Sequence, residues 1–347
     1  QRLAWDGKND KGVYVDDPES HTVRVSLGLK PEFERTLFWC PQKRVGNANS
    51  PLLCAAPEGV YIAEGCGLDS LRLYDHGGDY VRTLYPFPRG KLDQVKGLEL
   101  GEFPQDGQKL PLKYGPKHRS TLLRSGDNMV PSPGKYGAAG NALAAQGNRL
   151  ALAYHALSRL AGDGTTGGLE LHGPPTAIDI MERGKPKRFS PRSAAFSPDG
   201  RWLYLTGYNS GGEACEWLHC VTRLDFATGK ELELFAGTWK GEDRNAADKD
   251  LKVPTGVAVD RQGRVYVADF MNSRIQVYAP DGKVLKTVKT PHPADVAVHP
   301  GTGEIYVGSW MLKNRFVTDV KYAVPATFTR LGPLDSPAPK ATYPLPF

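Results

Sequence analysis

The stretch that decides the fold is "GRVYVADFMNSRIQVYAPDGKV", residues 263–284, in which two apolar runs flank a polar turn. The runs are rich in valine, isoleucine and tyrosine, which is typical of β-strands. The turn between them carries Asp269, Asn272 and Arg274. The "PDG" at 280–282 is typical of a hairpin turn. The stretch therefore predicts two antiparallel strands and the start of a third.

The same plan recurs along the chain. "PTGVAVDRQGRVYVADF" at 254–270 is followed by "PADVAVHPGTGEIYVGSW" at 293–310, and Tyr266 and Tyr306 lie 40 positions apart. Strand pairs of this kind also occupy 51–65, 141–155, 193–207, 71–85, 221–235 and 274–288. Short strands repeating in groups of four with such a period predict a β-propeller, because stacked blades bury the sheet faces that one blade leaves open.

Segment 253–288 resembles one blade of the NHL-repeat family, and other parts of the chain follow the pattern less closely. The resemblance implies an all-β propeller of four-stranded blades, with six blades expected and seven as the alternative. It implies little about function, because such propellers carry many activities. Five blades are predicted at 43–86, 139–190, 191–250, 251–290 and 291–332, and a sixth from 87–138 or from strands near 22–40.

Both ends of the chain differ from the repeats. Residues 1–30 resemble the Ig-like segment of flagellar hook-capping proteins, so a short N-terminal β-segment is expected over 1–40. The propeller is expected over 41–332, and the proline-rich stretch 333–347 is expected to be a tail. Two such junctions would suit a structural module of a larger secreted chain or assembly, which is one of three functional hypotheses.

Composition excludes several classes of partner. The formal net charge of +6 is scattered, and "KPKR" at 185–188 is the densest basic cluster, so no nucleic-acid partner is expected. No apolar run approaches the length of about 20 residues that a membrane-spanning helix needs, so no transmembrane segment is expected.

The cysteines bear on the location of the protein. There are five, and none forms a CxxC motif, so a zinc ribbon is not expected. Cys215 and Cys220 are close enough in sequence to close a loop disulfide, or they stay free thiols. The pairing of Cys40, Cys54 and Cys66 is left open. An extracytoplasmic location is expected.

Insertions are expected on one face of the propeller. Strands alternate in direction, so turns between strands one and two share a face with turns between strands three and four. These turns are short, whereas the other face receives the long insertions 87–138, 155–168, 207–219, 237–252 and 310–318. Long loops on a rigid scaffold are where binding usually occurs. The first functional hypothesis is therefore recognition of a protein or glycan partner, with ligand-binding candidates Tyr208, Trp217, Trp239, Arg244, Trp310 and Arg192.

The second hypothesis is an enzyme, and the sequence leaves that question open. The resemblance implies that related six-bladed propellers can hold calcium or zinc on the axis. Oxygen donors for calcium would be Glu64, Asn49, Asn141, Asp269 and Asp295. A metal-dependent lyase or hydrolase at the channel mouth would take its acid or base from His155, His292 and Glu64.

The turn of the opening stretch is predicted to serve the scaffold. In the resembled family, residues like Asp269, Asn272 and Arg274 belong to the repeat pattern. A carboxylate and an amide at such a turn can hold backbone N–H groups, and an arginine can bridge to the carboxylate. We therefore expect this trio to be architectural.

Overall fold

The computed structural model describes residues 13–14, 52–64, 70–98, 100–102, 105, 107–111, 142–153, 156–176, 178–182, 185–208, 219–238, 251–310 and 325–345. Chain contacts divide the protein into two units, Gln1–Glu34 and Arg35–Phe347. In the first unit only Val13 and Tyr14 are described, so the predicted N-terminal β-segment lies outside the described residues. The second unit carries the propeller.

Blade 1 is an antiparallel sheet in chain order, made of β1 (Leu52–Ala56), β2 (Gly59–Glu64), β3 (Ser70–Tyr74) and β4 (Tyr80–Tyr85). A 3₁₀ turn at Arg89–Gln94 and a two-stranded sheet follow, the latter formed by β5 (Leu100–Glu102) and β6 (Lys109–Pro111). Blade 2 contains β7 (Ala142–Gln146), β8 (Arg149–Ala153), β9 (Ala156–Ala161) and β10 (His172–Pro175).

Blade 3 has an additional strand. Its sheet contains β11 (Ile178–Glu182), β12 (Lys185–Phe196), β13 (Trp202–Tyr208), β14 (His219–Asp225) and β15 (Glu233–Thr238). The first part of β12 pairs with β11, and the part from Ser190 onward pairs with β13. The densest basic cluster of the sequence, 185–188, therefore lies in a β-hairpin.

Blades 4 and 5 follow the repeat most regularly. Blade 4 contains β16 (Pro254–Val259), β17 (Val265–Asp269), β18 (Arg274–Tyr278) and β19 (Val284–Lys289). Blade 5 contains β20 (Pro293–Val298), β21 (Glu304–Ser309), β22 (Thr327–Pro333) and β23 (Pro339–Pro344). The opening stretch of sequence therefore forms β17, β18 and the start of β19, as predicted.

The hydrophobic core consists of layers between neighbouring blades. Tyr61 and Leu71 pack with Leu150 between blades 1 and 2, and further layers lie between blades 2 and 3, 3 and 4, and 4 and 5. The first strands β1, β7, β12, β16 and β20 are neighbours in this order. Each blade thus buries apolar side chains that its own sheet could not cover.

The structure confirms the all-β propeller of four-stranded blades, and the described residues contain five blades. Where part of a sixth was predicted, residues 87–111 form the 3₁₀ turn and the two-stranded sheet β5–β6. The remaining candidates, 112–138 and 22–40, lie outside the described residues. None of the helices in the described part of the chain is long and apolar enough to cross a membrane.

The structure corrects the prediction that residues 333–347 form a tail. Residues Pro339–Pro344 form β23, the outermost strand of blade 5, which pairs antiparallel with β22. Prolines are tolerated there because an edge strand does not need all of its N–H groups, and Pro339 and Pro344 stand at the two ends of the strand. The high proline content concealed the strand in the sequence.

Candidate functional site

Three long connections leave the blades at the same end. They run from Tyr208 to His219, from Thr238 to Pro254 and from Ser309 to Thr327, and antiparallel pairing brings these strand ends together within each blade. This end of the blades is called the long-connection face. The opposite end carries short turns at 57–58, 147–148, 197–201, 260–264, 279–283 and 299–303.

One predicted insertion belongs to the other face. The connection from β8 to β9 is only 154–155, because β9 already begins at Ala156. The glycine-rich stretch 162–171 instead joins β9 to β10, the third and fourth strands of blade 2. The prediction that 155–168 lies on the long-connection face is therefore wrong.

Asp269 is the centre of a buried polar cluster at this face. Its side chain is fully buried, and Oδ1 accepts a hydrogen bond from the Lys252 N–H at 2.6 Å. Oδ2 accepts from Asn272 Nδ2 at 2.8 Å and from Arg274 Nε at 2.7 Å. Burial raises the pKa of the carboxyl, and these three donors oppose that effect. The architectural role predicted for the trio is confirmed.

Three residues beside this cluster, Val253, Ser273 and His292, have a strained backbone and are called the rim. Val253, Ser273 and His292 have φ values of 59°, 50° and 35°, a region that favours glycine and is an outlier for a β-branched residue. The Val253 N–H donates to His219 Nδ1 at 2.9 Å, and the His292 N–H donates to Ser273 Oγ at 3.4 Å. Strain of this kind persists only where surrounding contacts enforce it, so this part of the face is rigid.

His292, a catalytic candidate, is half-buried in that rim. Its Nδ1 lies 3.1 Å from the Phe270 carbonyl oxygen and 3.4 Å from Ser273 Oγ, and its ring packs on Phe270 with centroids 5.2 Å apart. A proton on Nδ1 would be held by the Phe270 carbonyl, which fixes the ring orientation. The catalytic role of His292 stays a prediction.

The first strands of blades 3, 4 and 5 begin alike. Ser193, Gly256 and Asp295 occupy one position, each just after a proline-containing register shift. Ser193 Oγ accepts the Val257 N–H of the next blade at 3.2 Å. Gly256 has no side chain that could accept the equivalent N–H of blade 5, which is that of Val296. The Val296 N–H donates instead to Asp295 Oδ1 at 2.9 Å.

A comparison with known protein families gives one match. The profile described as "SMP-30/Gluconolactonase/LRE-like region" matches residues 119–310, which is more than half of the chain. The chain belongs to this family. The NHL-repeat resemblance thus predicted the fold correctly. The family whose profile matches the chain is a different propeller family, the SMP-30/gluconolactonase/LRE-like family.

Solved structures show distant similarity. A crystal structure of a nidogen/laminin complex shares 14% identity over 86% of this chain and 81% of that chain, with a TM-score of 0.45. A luciferin-regenerating enzyme shares 16% identity over 85% and 80%, with a TM-score of 0.40. A protein of unknown function from Bacteroides caccae shares 14% over 86% and 73%, also with a TM-score of 0.40. No curated protein matches the chain.

The remaining site predictions are only partly placed. Arg192 is half-buried in the part of β12 that pairs with β13, and Trp310 is half-buried just after β21. Glu64 and Tyr208 end strands β2 and β13 on the long-connection face. The other predicted residues lie outside the described residues, namely His155, Trp217, Trp239, Arg244, Asn49 and Asn141.

Of the five predicted calcium donors, only Asp269 and Asp295 have described side chains, so the axial metal that the resemblance implies stays a prediction. Both oxygens of Asp269 accept hydrogen bonds from the scaffold, and its role as a metal ligand stays a prediction. Asp295 is the remaining carboxylate of the predicted set whose side chain is described. Within the described ranges no three His, Cys, Asp or Glu residues come together as a metal site. Calcium requires about six to eight oxygen ligands, which Asp295 alone cannot supply.

The cysteine alternatives are resolved at one position. Cys220 is a free, fully buried thiol in β14, so it does not form the loop disulfide considered for it and Cys215. Burial raises the pKa of Cys220 to about 12 and that of Cys54, also a free thiol, to about 11. Both are poor nucleophiles, because the thiolate is the reactive form.

Proposed function

We propose that this family member is a recognition propeller that binds a protein or glycan partner through its long-connection face. The observation that carries the proposal is the position of the connections 209–218, 239–253 and 310–326. All three join strands at one end of the blades. Binding loops placed together on a rigid scaffold are the usual arrangement of a recognition surface.

The rim supports this proposal, because it would present the loops without itself rearranging. Val253 and His292 immediately precede the first strands of blades 4 and 5, and both are tied to neighbouring elements by hydrogen bonds. The Asp269 cluster fixes the last residue of β17 to Lys252. A surface with rigid strand ends loses little conformational entropy on binding.

The test compares two loop replacements in the full chain. In one variant residues 311–324 are replaced by a short Gly-Ser linker; in the control, the turn 299–303 on the opposite face is replaced by another turn sequence. Binding is measured on a glycan microarray and by quantitative cross-linking in source cells, with thermal unfolding as the folding check. We expect a ligand that the wild type and control bind and the first variant does not. Equal binding by both variants would contradict the proposal.

The proposed location is extracytoplasmic, which would bring this face into contact with surface or secreted partners. Fractionation of source cells tests it separately. Recovery in the periplasmic, surface or secreted fraction is expected, and recovery with cytoplasmic marker enzymes would overturn it.

Family membership favours hydrolysis as the second candidate, since the family description includes a gluconolactonase. The site would lie at the channel mouth, with its acid or base among Glu64, His155 and His292. Purified protein would be assayed on a lactone panel with and without added calcium or zinc. Turnover lost in H292A and H155A would support this candidate, whereas turnover at the uncatalysed rate would remove it.

A further inference from the structure

Blade 5 has one side that packs on blade 4 and one that does not. Val296, Ile305 and Val307 lie in the apolar layer shared with blade 4. Because neighbouring residues of a strand point to opposite faces, Tyr306 and the Cβ of Asp295 lie on the other side, while Asp295 Oδ1 turns back to Gly256 of blade 4. That side also carries Ala297, Gly308 and Phe328, which oppose residues of the same face in the ladders. It is called the far side of blade 5.

The far side is more accessible than the equivalent positions of other blades. The corresponding second-strand tyrosines Tyr61, Tyr204 and Tyr266 are 1%, 2% and 0% exposed. Tyr306, by contrast, is half-buried, and Asp295 on the adjoining strand is exposed. These two side chains are therefore less covered than the second-strand tyrosines of blades 1, 3 and 4.

The Asp295 carboxylate has spare hydrogen-bonding capacity. Oδ1 accepts the Val296 N–H, and no cation in the described ranges pairs with this carboxylate. The side chain reaches solvent, yet surrounding protein raises the pKa of its carboxyl, which is the behaviour of a group in a recess. Gly256 contributes to the recess, because a Cβ there would lie 2.7 Å from Asp295 Oδ1.

The ring of Trp310 lies over Gly308, the residue that pairs with Asp295 in the ladder. Asp295 is paired with Gly308 across the β20–β21 ladder, and such cross-strand neighbours place their Cβ positions about 4.5–5.5 Å apart. A Cβ on Gly308 would overlap the ring of Trp310, so the indole occupies the space that the glycine leaves. Tyr306 and Phe328, stacked with centroids 5.8 Å apart, continue the aromatic surface.

We propose that Asp295 and Trp310 form a binding site for a small organic cation carrying an alkylated ammonium group. The carboxylate supplies the opposite charge, and the indole supplies a π-face that attracts cations. A metal ion would need more oxygen donors than this recess offers. The site rests on these contacts and not on the partner proposed above, so it stands or falls separately.

The test is isothermal titration calorimetry of the full chain with choline and with butylammonium at neutral pH. We expect saturable binding that Asp295→Asn weakens at least tenfold and that Asp281→Asn leaves unchanged. Asp281 is the matched control, because it is an exposed carboxylate in a turn. Trp310→Phe should weaken choline binding less than Trp310→Ala does, because the phenyl ring keeps a π-face. Binding should also weaken as the pH falls and Asp295 is protonated.

Two results would overturn the proposal. One is the absence of saturable binding of both cations to the wild type. The other is equal affinity of the wild type and Asp295→Asn, with the variant shown to be folded by its melting temperature. Stronger binding of CaCl₂ than of choline, lost in the same variant, would replace the organic cation with a metal ion. Each measurement uses the isolated protein, so failure of the partner proposal does not affect it.

Discussion

At the residue scale, position alone does not determine the role of a polar side chain at the channel mouth. Asp269 and Asp295 stand near the same end of adjacent blades, yet the first is saturated by three donors and the second keeps an oxygen for a ligand. The difference comes from the neighbours, since Asn272 and Arg274 follow Asp269 in the same turn. A sequence pattern can reveal such local partners, and the role of Asp269 was predicted in this way.

Replacing Asp269 by alanine is expected to destabilise the protein strongly. The change leaves the Arg274 guanidinium, whose side chain is 10% exposed, without its carboxylate, and breaking a buried pair in this way costs about 3–5 kcal/mol. The free energy of unfolding, measured with guanidinium chloride, tests this. Asp281→Ala is the control, because that carboxylate pairs with Lys283 at the surface and its loss should change stability far less. Equal stability of the two variants would refute the expectation.

The buried thiol of Cys220 is expected to make stability sensitive to alkaline pH. Its pKa is raised from 9.0 to about 12, so the folded state keeps the proton that the unfolded state loses. The stabilisation is complete below the unfolded pKa and is lost as the pH rises toward the folded one. Between roughly pH 8 and pH 11 the wild type should lose about 2–3 kcal/mol relative to Cys220→Ala. If the free energy of unfolding of the two proteins changed with pH in the same way, the prediction would be wrong.

At the element scale, two of the short turns are held by the same type of hydrogen bond, although the accepting residue differs. In the β16–β17 turn, Asp260 Oδ1 accepts the N–H groups of Gln262 and Arg264 at 2.9 and 3.0 Å. In the equivalent β20–β21 turn, His299 Nδ1 accepts those of Gly301 and Thr302 at 3.1 and 3.0 Å. One acceptor atom thus organises each turn, whether it is an oxygen or an imidazole nitrogen.

The two turns are expected to differ in their tolerance of alanine. Asp260 also accepts the hydroxyl of the fully buried Tyr266 at 2.9 Å, so Asp260→Ala leaves a buried donor unsatisfied and should cost about 2–4 kcal/mol. His299 is exposed, and His299→Ala should cost about 1 kcal/mol. Urea unfolding of both variants tests this order, and a larger loss for His299→Ala would reverse the argument.

Strand β23 is expected to be necessary for the stability of blade 5. Truncation after Ser336 removes the ladder with β22 and the ion pair of Lys340 with Glu304, whose N···O distance is 2.7 Å. At about 1 kcal/mol for a net hydrogen bond, the loss should be about 2–5 kcal/mol. Thermal unfolding measures it, with removal of residues 346–347 alone as the control. A melting temperature unaffected by the longer truncation would restore the interpretation of 333–347 as a tail.

At the scale of the whole molecule, stability is distributed over the layers between blades. Ile305 lies between blades 4 and 5 and Leu150 between blades 1 and 2, and both are fully buried. Alanine at either position should cost about 2–5 kcal/mol. Leu285→Ala is the control, because that side chain is 50% exposed and surface changes stay within about 0.5 kcal/mol. If only one of the two substitutions lowered the free energy of unfolding in denaturant titrations, stability would depend on one layer more than on the other.

The repeat made the propeller predictable, because strands that are buried on both faces, such as β17, read as short apolar runs at a regular spacing. The strands that were missed are those whose sequence conflicts with that rule. β23 is rich in proline, and β10 reads "HGPP". At the candidate site, Asp295 and Trp310 were named for separate reasons. Their proximity depends on the register between β20 and β21 and on the empty position at Gly308, neither of which one strand alone reveals.

Within the described residues, β19 is the outermost strand of blade 4 and pairs on one side only, which bears on behaviour at high concentration. The edge strand β19 carries the exposed apolar pair Val284 and Leu285, a combination that favours edge-to-edge aggregation. Lys283 and Lys289 stand on either side of this apolar pair, whereas Lys286 Nζ donates to the Leu334 carbonyl of blade 5. A second molecule pairing there in either orientation would bring its own lysines alongside these charges. Repulsion between Lys283 and Lys289 of two molecules would therefore oppose edge-to-edge pairing of blade 4.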